Sequence, residues 1–571
     1  MRVAYVAVIL TLALTACGPS SAGRSSGGNQ SAGPGASTGM KSMVAAINED
    51  PGNFWDGITG GGGSGARELG HMVNQYLVAL APDAQPQPRL LAELPSQDNG
   101  TWRVLPDGRM ETTWKLRADV LWHDGTPFTA DDIVFSILVN RDPDVPNGNQ
   151  AAAKLIEKAE ATDPTTIVTT WRDLYPFADR LEHRELIPLP RHILERTYRE
   201  AKDTLLLQPY FSTEYVGLGP YKVARWEHGS HLDLVANDRY LLGKPRIDNI
   251  RIQFIADENA MLANLRAGSL NLVLPPGGPE FDQVMELKHE WDRSGQGTVI
   301  TESVRWTFVD VQKNRTAQPA ELTDPRVRQA LFHAIDRPEL ARAILGDFGV
   351  VADSWVHPDH PIFKAVQPSL KRYDYDPRRA SALLAEAGWR PGLDGVLEKG
   401  GTKFNVGLRY RTEERDAIIM REAFKAIGVA AELQFLSDQL LRDRQQRATF
   451  TGLDITNNPM GGLSAVRRLI AEAVPTAENR WTGTNRGSYA NPAWDALGER
   501  LRVTLSERER DDIERQLVDV FTTELPALPL YYEGQALPLG HGLTGIQPTR
   551  GVAHTGHVMH TGNVHLWEMA R

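Results

Sequence analysis

The sequence has little cysteine and no second apolar segment long enough to cross a membrane. Cys17 is the single cysteine in 571 residues, which excludes an intrachain disulfide, a dithiol redox pair and a cysteine-rich zinc site. Beyond residue 16, no apolar run approaches the roughly 18 residues that a transmembrane helix needs. The net charge of −10 is spread along the chain without a basic tract, so nucleic acid is not expected as a partner.

Motifs of common enzyme classes are also missing. There is no Ser-x-x-Lys or His-Glu-x-x-His motif, and no glycine loop that ends in Gly-Lys-Ser/Thr. The glycine run from Gly60 to Gly65 formally fits the dinucleotide pattern, but any such tract does so. We therefore predict that the protein is not an enzyme and that it needs no cofactor.

The N-terminus predicts export and a lipid anchor. Met1 and Arg2 precede an almost wholly apolar stretch that ends at Ala16, which is the length of a signal-peptide core. The sequence Leu14-Thr15-Ala16-Cys17 resembles the bacterial lipobox, so Cys17 is predicted to be lipidated; the alternative is an ordinary signal peptide with a chance cysteine. Residues 18–40 are rich in Gly and Ser and predict a flexible tether of roughly 25 Å. The protein is then anchored to the cell membrane and faces the periplasm or the cell exterior.

The mature chain alternates strand-like and helix-like segments. A strand is predicted at Met43–Ile47 and a helix around Ala66–Leu80. Apolar residues from Val327 to Ile335 recur with helical spacing behind an Asp324-Pro325 start. Further helices are predicted from Asp376-Pro377 to Gly388 and over about 414–427. The pattern of helix, glycine and strand is typical of an α/β domain.

Several longer segments carry a family resemblance. They are DGRMETTWKLRADVLWHDGTPFTADDIVFS from Asp107 to Ser136, GLGPYKV with later motifs from Gly217 to Val273, TDPRVRQALFHAIDR at Thr323–Arg337, YDYDPRRASALLAEAGW at Tyr373–Trp389, NRGSYANPAWD at Asn485–Asp495, and ELPALPLYYE at Glu524–Glu533. Together they resemble extracellular solute-binding protein family 5, which includes dipeptide-, oligopeptide- and nickel-binding proteins. His123, Asp124 and Asp131 are interpreted within this pattern as turn and helix-cap residues.

The resemblance implies an α/β, two-lobed fold of the periplasmic-binding-protein type (type II, cluster C) with an extra inserted subdomain. On that pattern, lobe I takes residues 41–85, 212–302 and 530–571, the inserted subdomain takes 86–211, and lobe II takes 303–529. The chain is expected to cross between the lobes near 296–306 and 524–533.

The implied function is that of a substrate-binding protein of an ABC importer. The protein would act as a monomer, capture a peptide or peptide-like solute between hinged lobes and deliver it to the permease and ATPase subunits. Two alternatives stay open. One is a binding protein for a neutral, oxygen-rich solute such as a saccharide or opine, and the other is an envelope lipoprotein without a transport role.

Candidate ligand-binding residues follow from the segments that border the implied cleft: Trp306, Trp355, Trp481, Tyr531, Asn457 and Asn458. Aromatic faces can stack on a ligand, or they can fill the core. No aspartate occurs between Ile455 and Trp494, where peptide binders of the family usually hold the ligand's amine. Asn457 and Asn458 stand there and suit hydroxyls and carbonyls. The pair Arg467-Arg468 either holds an anionic group or lies on a solvated helix face.

Histidines leave one further alternative. The nickel branch of the family draws attention to His357, His360, His554, His557, His560 and His565 as possible metal ligands. A C-terminal segment of Thr, Gly and His is also common in surface loops. We predict no metal site.

Overall fold

The computed structural model describes residues 40–55, 65–83, 85–145, 151–183, 185–275, 277–411, 414–550 and 558–570. Cys17, the leader and the tether up to residue 39 lie outside these residues, as do most of the glycine run and both His554 and His557. In the ranges that are described, no helix has the length and apolar character to cross a membrane.

The described residues form strands numbered here in chain order. They are β1 (Ser42–Ile47), β2 (Val78–Leu80), β3 (Pro86–Pro88), β4 (Trp102–Val104), β5 (Met110–Lys115), β6 (Ile156–Asp163), β7 (Thr166–Trp171), β8 (Tyr221–Glu227), β9 (His231–Ala236), β10 (Asn249–Phe254), β11 (Leu272–Val273), β12 (Gly297–Val311), β13 (Val350–Val351), β14 (Arg390–Pro391), β15 (Leu397–Lys399), β16 (Thr402–Lys403), β17 (Asn405–Tyr410), β18 (Ala430–Phe435), β19 (Leu453–Pro459), β20 (Ala527–Gly540), β21 (Leu543–Thr544), β22 (Thr549–Arg550), β23 (Val558–Met559) and β24 (Glu568–Met569).

The α-helices of the described residues are numbered in the same way. They are α1 (Ala66–Val73), α2 (Ala130–Arg141), α3 (Ala151–Leu155), α4 (Arg191–Glu200), α5 (Glu258–Arg266), α6 (Phe281–Ser294), α7 (Pro325–His333), α8 (Arg337–Leu345), α9 (Phe363–Val366), α10 (Pro377–Glu386), α11 (Glu414–Ala426), α12 (Asp438–Arg442), α13 (Arg444–Ala448), α14 (Gly462–Arg467), α15 (Pro492–Val503) and α16 (Glu507–Glu524).

One mixed sheet of eleven strands runs through both parts of the fold. Its order is β18-β17-β19-β12-β20-β11-β1-β10-β9-β8, and β13 pairs with β20 beside this path. We call the part built on β1 and β8–β11 the first lobe, and the part built on β17–β19 the second lobe. The long antiparallel strands β12 and β20 join them, because one end of the pair lies beside β11 and the other end beside β19.

The strands at the two predicted crossing segments are this central pair. β12 and β20 pair from Gly297↔Gly540 to Asp310↔Ala527, with register shifts between Ser303 and Arg305 and between Thr307 and Phe308. Such irregularities bend a strand and increase its twist. The bounds given above for the lobes and the inserted subdomain remain predictions.

Helices cover both faces of the second lobe. Packed against one face are apolar residues of α7, α8, α10 and α11, including Leu331, Leu384 and Met420. The other face packs against α14–α16 through a cluster that contains Phe308 and Phe521, both 0% exposed. Burying a side chain of this size contributes about 1.5–3 kcal/mol. The resulting order of helix, sheet and helix is the expected α/β architecture.

A second sheet belongs to the segment predicted as an insertion. Its order is β4-β5-β7-β6, and its core includes Trp114, Trp171 and Leu186. Thr129 and Asp132 form a capping box at the start of α2, as their spacing predicts. The Asp132 carboxylate accepts hydrogen bonds from the Thr129 amide at 2.9 Å and from the Arg191 amide at 2.9 Å.

Most helices predicted from the sequence are confirmed, and one is shorter than expected. Asp324 caps α7 by accepting a hydrogen bond from the Arg326 amide, with Pro325 in the first turn. The helix predicted around Ala66–Leu80 ends at Val73, and the next segment forms β2, which pairs with β3. The prediction was wrong there because a tertiary strand pairing overrides the local apolar pattern.

Candidate functional site

A cavity of about 330 Å³ lies where β12 and β20 join the two lobes. The first lobe contributes residues of α1 and of the segment from Val273 to Asp282. Ile344 and Leu345 of α8 and Arg415 of α11 come from the second lobe, and Val304, Arg305 and the part of β20 after Tyr531 complete the wall. Because both lobes and the joining strands line it, this cavity is the candidate ligand site.

The cavity wall carries charges of both signs. The cations are Arg67, Arg305 and Arg415, and the carboxylates are Glu68, Glu280, Asp282 and Glu533. The guanidinium of Arg415 lies 4.0 Å from the Asp282 carboxylate, and both side chains are more than half exposed. An ion pair with that exposure stabilises little. Arg415 and Asp282 can therefore give up this ion pair and pair with charged groups of a ligand.

Arg305 is the cation of this wall with the fewest partners. It is half-buried on β12 directly beside the register shift. Its guanidinium forms no hydrogen bond or ion pair within the described residues. A half-buried guanidinium that lines a cavity offers N–H donors to a carboxylate or carbonyl of a ligand.

Glu68 at the cavity wall belongs to a buried ion pair with the C-terminal segment. Its carboxylate accepts hydrogen bonds from the His560 Nδ1 at 2.8 Å and from the Thr561 hydroxyl at 2.7 Å. Burial would raise the pKa of Glu68, but the charge of His560 and these hydrogen bonds outweigh it and lower the pKa to about 2. The ionised carboxylate of Glu68 thus holds residues 558–566 against α1.

His560 is held in its charged form by two carboxylates. Burial would lower the pKa of His560, but Glu68 and Glu302 raise it to about 9. The Nε2 atom lies 3.6 Å from the Glu302 carboxylate. Both nitrogens therefore face acids, which is unsuitable for a neutral metal-ligating imidazole. Over the described residues, no group of three or more His, Cys, Asp or Glu is arranged to hold a metal ion.

Two tryptophans predicted to contact a ligand lie in the hydrophobic core and not in the cavity wall. Trp306 and Trp355 are each 1% exposed and belong to the hydrophobic core of the second lobe. Trp306 stacks on Phe308 with ring centroids 4.0 Å apart, and Trp355 meets Trp494 edge to face. In this structure both indoles pack against α14–α16 and not against the cavity, and their role in ligand binding stays a prediction.

Tyr531 lines the cavity, but its hydroxyl points to a partner inside the protein. The residue is 3% exposed, and its hydroxyl donates to the Asp416 carboxylate at 2.8 Å. Burial and the neighbouring carboxylate both raise its pKa. Tyr531 can therefore offer a ring edge to a ligand, while its hydroxyl holds the start of α11.

The remaining candidates lie at the end of β19 and in the loop after α14. Asn457 and Asn458 are half-buried and pair with Thr307 and Trp306 of β12. Trp481 is half-buried and has a φ of 59°, a backbone conformation that non-glycine residues rarely adopt. None of the three is among the residues that line the cavity. Their role in ligand binding stays a prediction.

The charged residues of the cavity were missed by the sequence analysis. Arg67, Arg305, Arg415 and Glu533 are far apart in the chain and share no motif. The available signal was weak: Arg305 and Glu533 sit inside the two predicted crossing segments. Charged residues within the two joining strands were the feature to examine.

A second contact joins the inserted segment to the second lobe. The Arg502 guanidinium lies 2.8 Å from the Asp173 carboxylate, and the Arg510 guanidinium lies 5.5 Å from the Phe177 ring centre. Leu463 and Leu505 pack against the hydrophobic core of the insertion. The second lobe is therefore held on two sides, by the joining strands and by this contact.

Comparison with known proteins shows similarity to one family of bacterial proteins. The family model described as bacterial extracellular solute-binding proteins, family 5 (middle), matches residues 90–462. The oligopeptide-binding protein AppA of Bacillus subtilis (strain 168) is 26% identical over 343 residues, which are 58% of this chain and 59% of that protein. The aligned segment thus spans less than two thirds of that relative's own length.

Solved structures share the fold. NikZ from Campylobacter jejuni, solved in complex with Ni(L-His), has a TM-score of 0.71 at 23% identity, over 92% of this chain and 99% of that one. The oligopeptide-binding protein from Thermus thermophilus, complexed with a pentapeptide, has a TM-score of 0.70 at 23% identity, over 92% and 96% of the two chains. The predicted two-lobed α/β fold is confirmed by these likenesses.

Proposed function

The chain belongs to the bacterial extracellular solute-binding proteins of family 5, and from this membership we propose that it is the lipid-anchored binding subunit of an ABC importer. It captures a peptide or peptide-like solute in the cavity between its lobes and delivers that solute to the permease. Closure of the lobes on the solute creates the form that the permease recognises, because contacts from both lobes favour the shut state.

The observation that carries this proposal is the composition of the cavity wall. Arginines from both lobes, and carboxylates from the first lobe and β20, face a space of about 330 Å³. A peptide has an ammonium, a carboxylate and several amides, so it complements such a wall better than a neutral solute does. The relatives compared above are named for oligopeptides or were solved with a pentapeptide or Ni(L-His), and each of these ligands carries charged groups.

The cavity wall contains carboxylates that can pair with the ligand's amine. The gap without aspartate between Ile455 and Trp494 favoured a solute without an amine. Glu533 and Asp282 line the cavity from other segments, whereas Asn457 and Asn458 do not. The charges of the wall therefore support a peptide-like solute over a saccharide, and Glu533 is the proposed partner of the amine.

The lipid anchor belongs to the same proposal. Cys17 ends the apolar leader, and residues 18–40 separate it from β1. A diacylated cysteine on such a tether keeps a binding protein beside its permease and leaves the lobes free to move.

The test is a binding experiment with defined peptides. The full chain is purified from its own host, examined by native mass spectrometry for a co-purified solute, freed of it, and titrated calorimetrically with tri-alanine and N-acetyl-tri-alanine. We expect tri-alanine or a longer homologue to bind more tightly than its acetylated form, and small-angle scattering to show compaction on binding. A co-purified saccharide, with no heat from peptides of two to nine residues, would refute the peptide assignment.

A further inference from the structure

A cluster of buried charges lies in the second lobe, on the same face of the sheet as the side chains of Trp306 and Phe308. Asp310 of β12 and Asp454 of β19 are directly opposite each other in the register, and they are 1% and 0% exposed. Two carboxylates buried side by side repel each other and lose their hydration. Their burial therefore requires cations at close range.

Three arginines supply those cations. Arg409 Nε donates to Asp454 at 2.8 Å, and Arg411 donates to the second oxygen of Asp454 at 3.1 Å. Arg468, which follows α14 directly, pairs with Asp310 and lies over the Phe308 ring at 4.5 Å. The two carboxylates are thus already neutralised by three guanidinium groups.

A fourth arginine, Arg486, lies near this cluster without an ion pair of its own among the described residues. Its backbone carbonyl accepts a hydrogen bond from the Gln312 side chain at 3.2 Å, which holds it beside the end of β12. Its guanidinium makes no hydrogen bond or ion pair within the described residues. Burial and the charges of Arg468, Arg447 and Arg411 lower the pKa of Arg486 to about 9, although Asp310 opposes the shift. Arg486 is therefore surrounded by more positive than negative charge.

Two of the paired arginines also have an N–H donor that forms no hydrogen bond among the described residues. The Nε atoms of Arg411 and Arg468 are buried and have no hydrogen-bond partner among the described residues. The side chain of Arg468 is 7% exposed. A buried donor without a partner destabilises the fold, and more so when it is charged. Two such donors lie in this one cluster, which favours an acceptor that binds there.

We propose that Arg411, Arg468 and Arg486 form an oxyanion site in the second lobe. The ligand is a carboxylate or phosphate group, because planar guanidinium groups match its oxygen atoms with paired N–H donors. The site is distinct from the cavity, since Arg305 and Tyr531 line the cavity whereas Asp310 and Phe308 lie on the other side of the sheet. The proposal rests on the second lobe alone and does not depend on the solute.

Inorganic phosphate is the probe for this site. The full chain is dialysed into phosphate-free buffer at neutral pH and titrated calorimetrically, with ionic strength matched by NaCl. We expect phosphate to bind the wild type, and Arg486→Gln to weaken binding about tenfold or more, since one charge-assisted contact is lost. Without phosphate, the melting temperature of Arg486→Gln should equal or exceed that of the wild type, because repulsion among the arginines is relieved.

The control is Arg444→Gln, which removes an exposed arginine on α13 and should leave phosphate binding unchanged. Equal phosphate affinity in the wild type and Arg486→Gln would overturn the proposal, as would no heat beyond the NaCl reference. Competition locates the bound phosphate. We expect tri-alanine to leave phosphate bound, because the solute binds in the cavity; displacement by tri-alanine but not by its C-terminal amide would place the phosphate in the cavity and overturn the separate site.

Discussion

Asp310 and Asp454 face each other across adjacent strands in the interior of the second lobe, and neither is more than 1% exposed. The two like charges are stable side by side because Arg409 and Arg411 both form ion pairs with Asp454, and Arg468 forms an ion pair with Asp310. The arginines therefore support the fold of the lobe, and their surplus charge supports the proposed oxyanion site.

Removing one of these carboxylates should destabilise the protein. Asp454→Asn leaves Arg409 and Arg411 without their acid, and breaking a buried ion pair in this way costs about 3–5 kcal/mol. Urea denaturation should show that loss in the free energy of unfolding. Asp394→Asn, which breaks an exposed pair with Lys403, serves as the control and should behave like the wild type. An equally stable Asp454→Asn would mean that the arginines do not need this carboxylate.

Arg305 should contribute to solute binding. Its guanidinium lines the cavity without a partner in the described part of the chain, so a ligand carboxylate or carbonyl can take its donors. Arg305→Gln should weaken the binding of a peptide by about 1.5–3 kcal/mol, the usual contribution of a hydrogen bond to a charged group. Calorimetric titration measures the effect.

The matched control for Arg305 is Arg225→Gln. Arg225 is exposed on β8 and pairs with Glu227. The Arg225→Gln variant should leave peptide affinity unchanged. If Arg305→Gln binds the peptide as tightly as the wild type does, the ligand does not use the cavity at β12.

Glu514 should make the stability of the protein depend on pH. It lies on α16 and is 7% exposed, and burial together with nearby Asp511 raises its pKa from 4.5 to about 8, although Arg510 opposes the shift. Between these values the unfolded chain binds fewer protons at this position than the folded chain. The free energy of unfolding therefore falls as pH rises across that window.

Glu514→Gln should remove this dependence. The variant should gain stability relative to the wild type from about pH 5 to about pH 8, by about 1.4 kcal/mol for each unit of pKa shift. Thermal melts at several pH values give the comparison, and Glu509→Gln, an exposed position on the same helix, is the control. Parallel pH profiles for Glu514→Gln and the wild type would show that Glu514 is ionised in the fold.

Cys17 should anchor the protein to the membrane. Cys17→Ala removes the thiol that carries the lipid, so the variant should fractionate as a soluble or unprocessed protein. Membrane fractionation and the mass of the mature N-terminus measure this. Membrane association that persists in Cys17→Ala, with no lipid mass on the wild type, would contradict the anchor.

Local patterns predicted the elements of the fold better than the site. Asp324-Pro325 and the Thr129–Asp132 spacing marked helix starts that the structure confirms, because a cap depends on neighbours within one turn. Trp306 and Trp355 could not be placed in this way. An indole among polar neighbours can point to either side of a strand, and only the helices packed on that side decide its exposure.

The sequence by itself determined the family and the α/β alternation, since both rest on motifs and periodicities within short stretches. The family resemblance also implied crossings between the lobes near 296–306 and 524–533, which stay a prediction. Only the tertiary structure decided which charges meet. Arg67, Arg305, Arg415 and Glu533 line one cavity, and Asp310 lies opposite Asp454, because strand register and lobe packing bring together residues more than a hundred positions apart. Those long-range contacts leave no local pattern in the chain, so the chemistry of both proposed sites appears only in the folded protein.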